Sequence, residues 1–128
     1  MTANLFDILQ AGIANPDATA IETPGGERIS YGDLIQRTGR MAHALVSLGV
    51  QPGDRVALLL PNCPQHVVAF FAILRLGAVV VEHNPRYTAH ELTPLLAHHG
   101  ARVAIAWEDI APTVSAQVET TISVSLSE

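Results

Sequence analysis

Chemistry needs groups that titrate, attack or bind metal, and this sequence offers few. It has six histidines, one cysteine and a cluster of polar residues after each apolar run. His83 follows Glu82, a combination that elsewhere moves protons. Neighbours along a strand point to opposite faces, so these two read as turn-forming polar residues rather than an acid–base pair. His90, His98 and His99 fall in one helical segment. A zinc-binding helix places a second histidine four positions after the first, where this chain has Pro94 after His90. His98 and His99 project about 100° apart on a regular helix and cannot chelate together. The three read as a solvated helix surface. Cys63, between Asn62 and Pro64, reads as a structural thiol rather than a reactive one.

The basic residues decide more. All seven are arginine (Arg28, Arg37, Arg40, Arg55, Arg75, Arg86, Arg102), so the sequence contains no lysine. A phosphate-loop, Schiff-base or adenylation lysine therefore cannot come from these residues. Arg37 and Arg40 read as a solvated helix face, and Gly25-Gly26 is too short to cradle a phosphate. A net charge of −5 without a basic patch leaves no footprint for nucleic acid, so that partner is not expected. With a single cysteine no internal disulfide can form, which fits a reducing compartment. The segment MTANLFDILQ lacks the basic and apolar regions of a signal peptide, and the apolar run from Val67 to Val81 falls short of the roughly 20 residues a spanning helix needs. A cytoplasmic, soluble protein is the expectation.

The elements that would position these groups are more legible. With 48% apolar residues and 15% charged ones, the 128 residues form one domain's worth of covered α/β structure. Residues 50–92 read as a βαβα unit. Pro52-Gly53-Asp54 turns the chain into Arg55–Leu60, an unbroken apolar run suited to a strand buried on both faces. Pro61, Asn62 and Pro64 stop it. Residues 65–76 are apolar on almost every side and predict a widely covered helix ending at Gly77. Ala78–Val81 predicts a second buried strand, parallel to the first. Thr88 and Glu91 have the spacing of a capping box. Pro94 would then sit in a first turn that tolerates it.

Before this unit, Asn4 caps a helix with a stripe of Leu5, Ile8, Leu9 and Ile13. Thr19–Glu22 and Arg28–Tyr31 predict a hairpin about the two glycines. Ser30 and Asp33 start a helix that buries Tyr31, Leu34, Ile35, Met41, Ala42, Leu45, Val46 and Leu48 and ends at Gly49. After it, Leu92, Leu95 and Leu96 give the next helix its core stripe. Arg102–Trp107 is a third buried strand, Ile110–Val118 a weak helix interrupted by Pro112, and Thr121–Leu126 a last, more exposed strand. The fold class is α/β: a partial doubly wound, mostly parallel sheet with flanking helices and an N-terminal β-hairpin. Ligands of such sheets bind beyond the carboxyl ends of the strands, here residues 62–66, 82–87 and 107–109. None of these loops is glycine-rich.

The ordered series ISYGDLIQRTGRMAHALVSLGVQPGD, GDRVALLLPN, RLGA and VVVEHNPRYT resembles the N-terminal region of the adenylate-forming acyl-CoA synthetases, and within them bacterial fatty-acyl-CoA ligases. The resemblance covers nearly the whole chain and rests on the series, not on one catalytic signature. It implies a parent enzyme using ATP, Mg2+ and CoA, with a fatty acid as substrate and the rest of the ligase chain as partner. The family's Ser/Thr/Gly-rich phosphate loop, its aromatic-Gly-x-Thr-Glu segment, its ribose-binding aspartate and its adenylation lysine are not among these residues. No catalytic, cofactor-binding or metal residue is therefore carried over. The chain is expected to be an inactive N-terminal subdomain, residues 1–128, that binds no cofactor alone and self-associates through apolar surface left bare on the 65–76 helix. A stand-alone interaction or regulatory module and an unrelated flavodoxin-like domain are the alternatives.

Overall fold

The computed structural model describes residues 4–126. Four strands form one parallel sheet in the order β4-β3-β5-β6, and an antiparallel hairpin of β1 and β2 stands apart from it. The strands are β1 (Thr19–Glu22), β2 (Arg28–Ser30), β3 (Arg55–Leu59), β4 (Val79–Glu82), β5 (Val103–Trp107) and β6 (Thr120–Val124). The helices are α1 (Leu5–Ala11), α2 (Tyr31–Ser47), α3 (Pro64–Arg75), α4 (Ala89–His98) and α5 (Ala111–Ser115). The predicted fold class and the βαβα unit are both present.

Side-chain alternation along the central strands divides the interior in two. Val56, Leu58, Val103 and Ile105 face α2 and α3, packing with Ala42, Leu45, Ala69, Ala72 and Ile73. Ala57, Leu59, Ala104 and Ala106 face α4 and α5, packing with Leu92, Leu96, Ala111 and Val114. Both faces of β3 and β5 are thus covered, which is why those strands read as unbroken apolar runs. A third, smaller cluster of Ile29, Leu34 and Val68 seats the hairpin on α2 and α3. At the hairpin turn Gly26 holds φ +90, a left-handed conformation that favours glycine.

The start signals read from sequence are real. Ser30 Oγ accepts from the Asp33 amide at 3.1 Å, while the Asp33 carboxylate pairs with Arg37 at 3.1 Å. The Thr88–Glu91 box is closed in both directions, Thr88 Oγ1 accepting the Glu91 amide and Glu91 Oε1 accepting the Thr88 amide.

Several expectations are corrected. In α1 the buried residue is Phe6, whereas Leu5 and Ile8 are 54% and 60% exposed. The helix lies against α3 through Phe6, whose ring has the Arg75 guanidinium 4.9 Å above its centre. In α2 the buried line is Leu34, Thr38, Ala42 and Leu45, and the last turn carries Val46 and Leu48 into solvent. Thr38 was invisible as a core residue because its hydroxyl is satisfied locally, donating to Ile35 O at 2.8 Å.

Helix α3 leaves no large apolar side chain exposed, so it is not the bare surface expected. Helices α1 and α2 both pack against it. Strand β4 is an edge strand and not a fully buried one, with Val79 46% exposed, and it is more open than β6. Pro94 lies in the second turn of α4 and not in the first, because the Thr88 cap starts the helix at Ala89. Its missing N–H leaves the His90 carbonyl to solvent on an exposed face. Pro112 starts α5 rather than interrupting it.

Candidate functional site

Parallel strands align their carboxyl ends, so the loops after β3, β4 and β5 meet along one rim of the sheet. The structure brings residues of the three predicted segments together there. After β3, Cys63 sits at the N-cap of α3 without a side-chain capping bond, and Pro64 opens the helix. His66 in the first turn reaches Glu82 at the end of β4, with Nε2 2.7 Å from Oε1. The His66 ring lies nearly parallel to Phe70, 6.4 Å away, and Phe70 meets Phe71 edge to face at 5.3 Å.

After β4 the backbone is drawn into a turn, the Asn84 Oδ1 accepting the Arg86 amide at 2.9 Å. Arg86 then lies over the Trp107 ring at the end of β5, with Cζ 5.8 Å from its centre. Beyond β5, Glu108 donates its amide to Val124 O at 2.9 Å and accepts from the Ser125 hydroxyl at 3.4 Å. At the start of α4 the Thr88 amide and hydroxyl hold the Glu91 carboxyl below the usual carboxylate range.

Glu82 and His83 do face opposite ways, as strand alternation requires. Glu82 goes to α3, and His83 goes to the far side of the sheet, where its ring stacks on His99 at 5.0 Å. His90 and His98 are exposed as expected. His99 is turned inward, because it caps α4 instead of continuing its surface. Among the described residues, no group of three or more histidine, cysteine or acidic side chains comes together around a possible metal position.

Two contacts between segments escaped the sequence reading, His66–Glu82 and Arg86–Trp107. A signal for the first existed: Val80 and Glu82 share one face of β4, and Val80 packs in the α3-side core, so Glu82 had to emerge beside the start of α3.

The chemistry available on this rim is limited. Its arginine is laid on an indole, and the rim segments also carry the carboxylates Glu82, Glu108 and Asp109. A triphosphate would meet carboxylates here rather than a cradle of amides and lysine, so these residues do not fit ATP. A cavity of about 390 Å³ borders the rim between the hairpin and the β3–α3 loop, lined by Ile21, Pro24, Cys63 and Val67. Another, of about 300 Å³, lies between α5 and β6.

Comparison with known proteins gives this rim a context. The family model described as AMP-binding enzyme matches residues 10–127. The chain is 44% identical over 77 residues to a long-chain-fatty-acid–CoA ligase of Bacillus subtilis (strain 168), a match covering 60% of the chain and 14% of that protein. It is 43% identical over 102 residues to a feruloyl-CoA synthase of an Amycolatopsis species, covering 80% of the chain and 21% of that protein. Among solved structures, apo MatB from Rhodopseudomonas palustris superposes with a TM-score of 0.85 at 33% identity, covering 98% of the chain and 26% of MatB. The chain thus spans between about a seventh and a quarter of the length of these relatives.

Proposed function

We propose, because the chain belongs to the AMP-binding enzyme family, that it is the N-terminal part of a fatty-acid–CoA ligase. In the reaction of that ligase a carboxylate attacks the α-phosphate of ATP, giving an acyl-adenylate and pyrophosphate. The CoA thiol then displaces AMP and leaves a thioester. The match to the Bacillus subtilis long-chain ligase carries the choice of substrate.

The part played by residues 1–128 is that of scaffold. Their parallel sheet aligns the loops at its rim, and we assign no catalytic, cofactor-binding or metal residue among them. The chain alone does not form acyl-adenylate, a reading supported by the absence of lysine and by the carboxylates at the rim. A second reading has its own support. The feruloyl-CoA synthase match runs over more of the chain, which favours an aromatic acid as substrate.

ATP–pyrophosphate exchange tests both, using the whole protein with a panel of fatty and aromatic carboxylic acids and the 128-residue chain beside it. Exchange with long-chain acids by the whole protein, and none by the chain, is the expected result. Faster exchange with ferulate moves the substrate to the aromatic class. Exchange with no carboxylate at all removes the ligase reading, and exchange by the chain alone removes the scaffold reading.

A further inference from the structure

The stacked rings of His83 and His99 are used by nothing described so far. His83 leaves the end of β4 and His99 caps α4, so the pair joins the sheet edge to the helix on its far face. The Nε2 atoms of both rings are buried, and neither has a hydrogen-bond partner. On the other side of the His99 ring, Nδ1 accepts the Ala101 amide at 2.9 Å. An accepting Nδ1 requires the neutral ring's own proton to sit on Nε2.

A second proton could enter His99 only at Nδ1, where the Ala101 N–H already points. Two donors would then face each other, and the bond that turns the chain from α4 toward β5 would be lost. At His83 a proton would place charge in a setting with no buried partner for Nε2. Burial holds both rings below the ordinary imidazole value, His83 by burial alone. His99 is lowered further by His83, by Arg55 of β3 and by His98 of α4. No carboxylate contributes to either shift. Asp54, beside Arg55, is engaged by Arg102 at 3.4 Å and by the Gln51 amide at 2.9 Å. Arg55 itself donates to the His99 carbonyl at 2.9 Å.

We propose that the His83–His99 stack is a proton-operated catch. With both rings neutral it holds the end of α4 on the sheet, and a proton taken up at either ring releases α4 together with the 83–88 loop. That loop carries Arg86, so release also reaches the rim of the sheet.

The sign follows from linkage. A ring whose value is lowered in the closed form binds its proton more readily once α4 is open. Closure is therefore fully favoured above about pH 6.5 and weakens as pH falls below that value. The Glu91 carboxyl of the α4 capping box stays charged throughout this window, because its own value is lowered.

Hydrogen exchange of the amides of residues 95–101, measured as protection factors at pH 7.5, 6.5 and 5.5, reads the catch. Protection should fall with pH by up to about tenfold per ring, the ceiling set by an open-state value of about 6.5. His83→Phe keeps a stacking ring and His99→Asn keeps an acceptor for Ala101, and together they should flatten the response. His43→Gln, on the exposed face of α2, should leave it as it was. Protection that does not change with pH, or that changes equally in the double variant, overturns the proposal. If the double variant fails to fold, NMR titration of the imidazoles in the unaltered protein decides. Rings titrating below the ordinary value, with the Ala101 amide shifting alongside His99, support the catch, and titration at the ordinary value overturns it.

Discussion

Arg75 shows how one side chain can organise three helices. Its guanidinium covers Phe6 of α1 at 4.9 Å, donates to Ile35 O of α2 at 3.3 Å, and lies 3.5 Å from the buried Thr38 hydroxyl. Arg75→Ala should cost about 1 kcal/mol, the size of a single cation–π contact, in urea denaturation. The same residue controls its neighbour Gly39, where a Cβ would come within 3.1 Å of Arg75 Nη1. Gly39→Ala should stabilise α2 by about 1 kcal/mol once Arg75 is alanine, and by less while Arg75 is present. Equal gains in the two backgrounds would show that the arginine does not occupy that space. None of this was legible in the sequence, where Arg75 is one charge in an apolar run. Charges that bridge distant helices leave no local periodicity.

Among the elements, α4 is the one in which local signals agree with the structure in part and conflict in part. Its capping box was readable because Thr88 and Glu91 act within a single turn. Thr88→Ala should loosen the helix start by about 1 kcal/mol, seen as faster exchange of the Glu91 and Leu92 amides. The Glu91 contribution has a definite pH direction. Its carboxyl is lowered by the Thr88 amide and hydroxyl, so the cap holds at neutral pH and is lost as pH falls through that lowered value. Against the box stands Pro94, which removes a hydrogen bond from the helix interior. Pro94→Ala should restore the bond to His90 O and raise stability by about 2 kcal/mol, the helical gain of about 3 less the entropy returned to the unfolded chain. Unchanged stability would mean that solvent already satisfies that carbonyl at no cost. The position of Pro94 was misread although the box fixes the boundary: with Thr88 as N-cap the helix begins at Ala89, and Pro94 is its sixth residue, past the first turn.

Across the whole molecule, the two faces of the sheet differ in grain. Valine, leucine and isoleucine face α2 and α3, while three of the four β3 and β5 residues facing α4 and α5 are alanine: Ala57, Ala104 and Ala106. Small residues permit close approach of α4 and α5, so a larger one should be penalised by overpacking. Ala104→Leu should cost about 2 kcal/mol in thermal or chemical unfolding. Layer order, strand direction and most element starts could be read from the sequence, since runs such as Arg55–Leu60 and caps such as Ser30 are local. The edge position of β4 could not be read, because a strand of valines looks the same whether or not another strand lies beside it. With Val79, Leu5 and Ile8 exposed, the isolated chain should self-associate; a monomer in sedimentation that binds no hydrophobic dye would count against this. A last consequence concerns biosynthesis. The Asn4 side chain caps α1 through its oxygen, while its amide donates to Leu74 O at 2.7 Å, 70 residues away. At about 5–20 residues per second of translation, α1 emerges several seconds before its seat exists. Helix α1 is therefore held waiting for the ribosome to deliver α3.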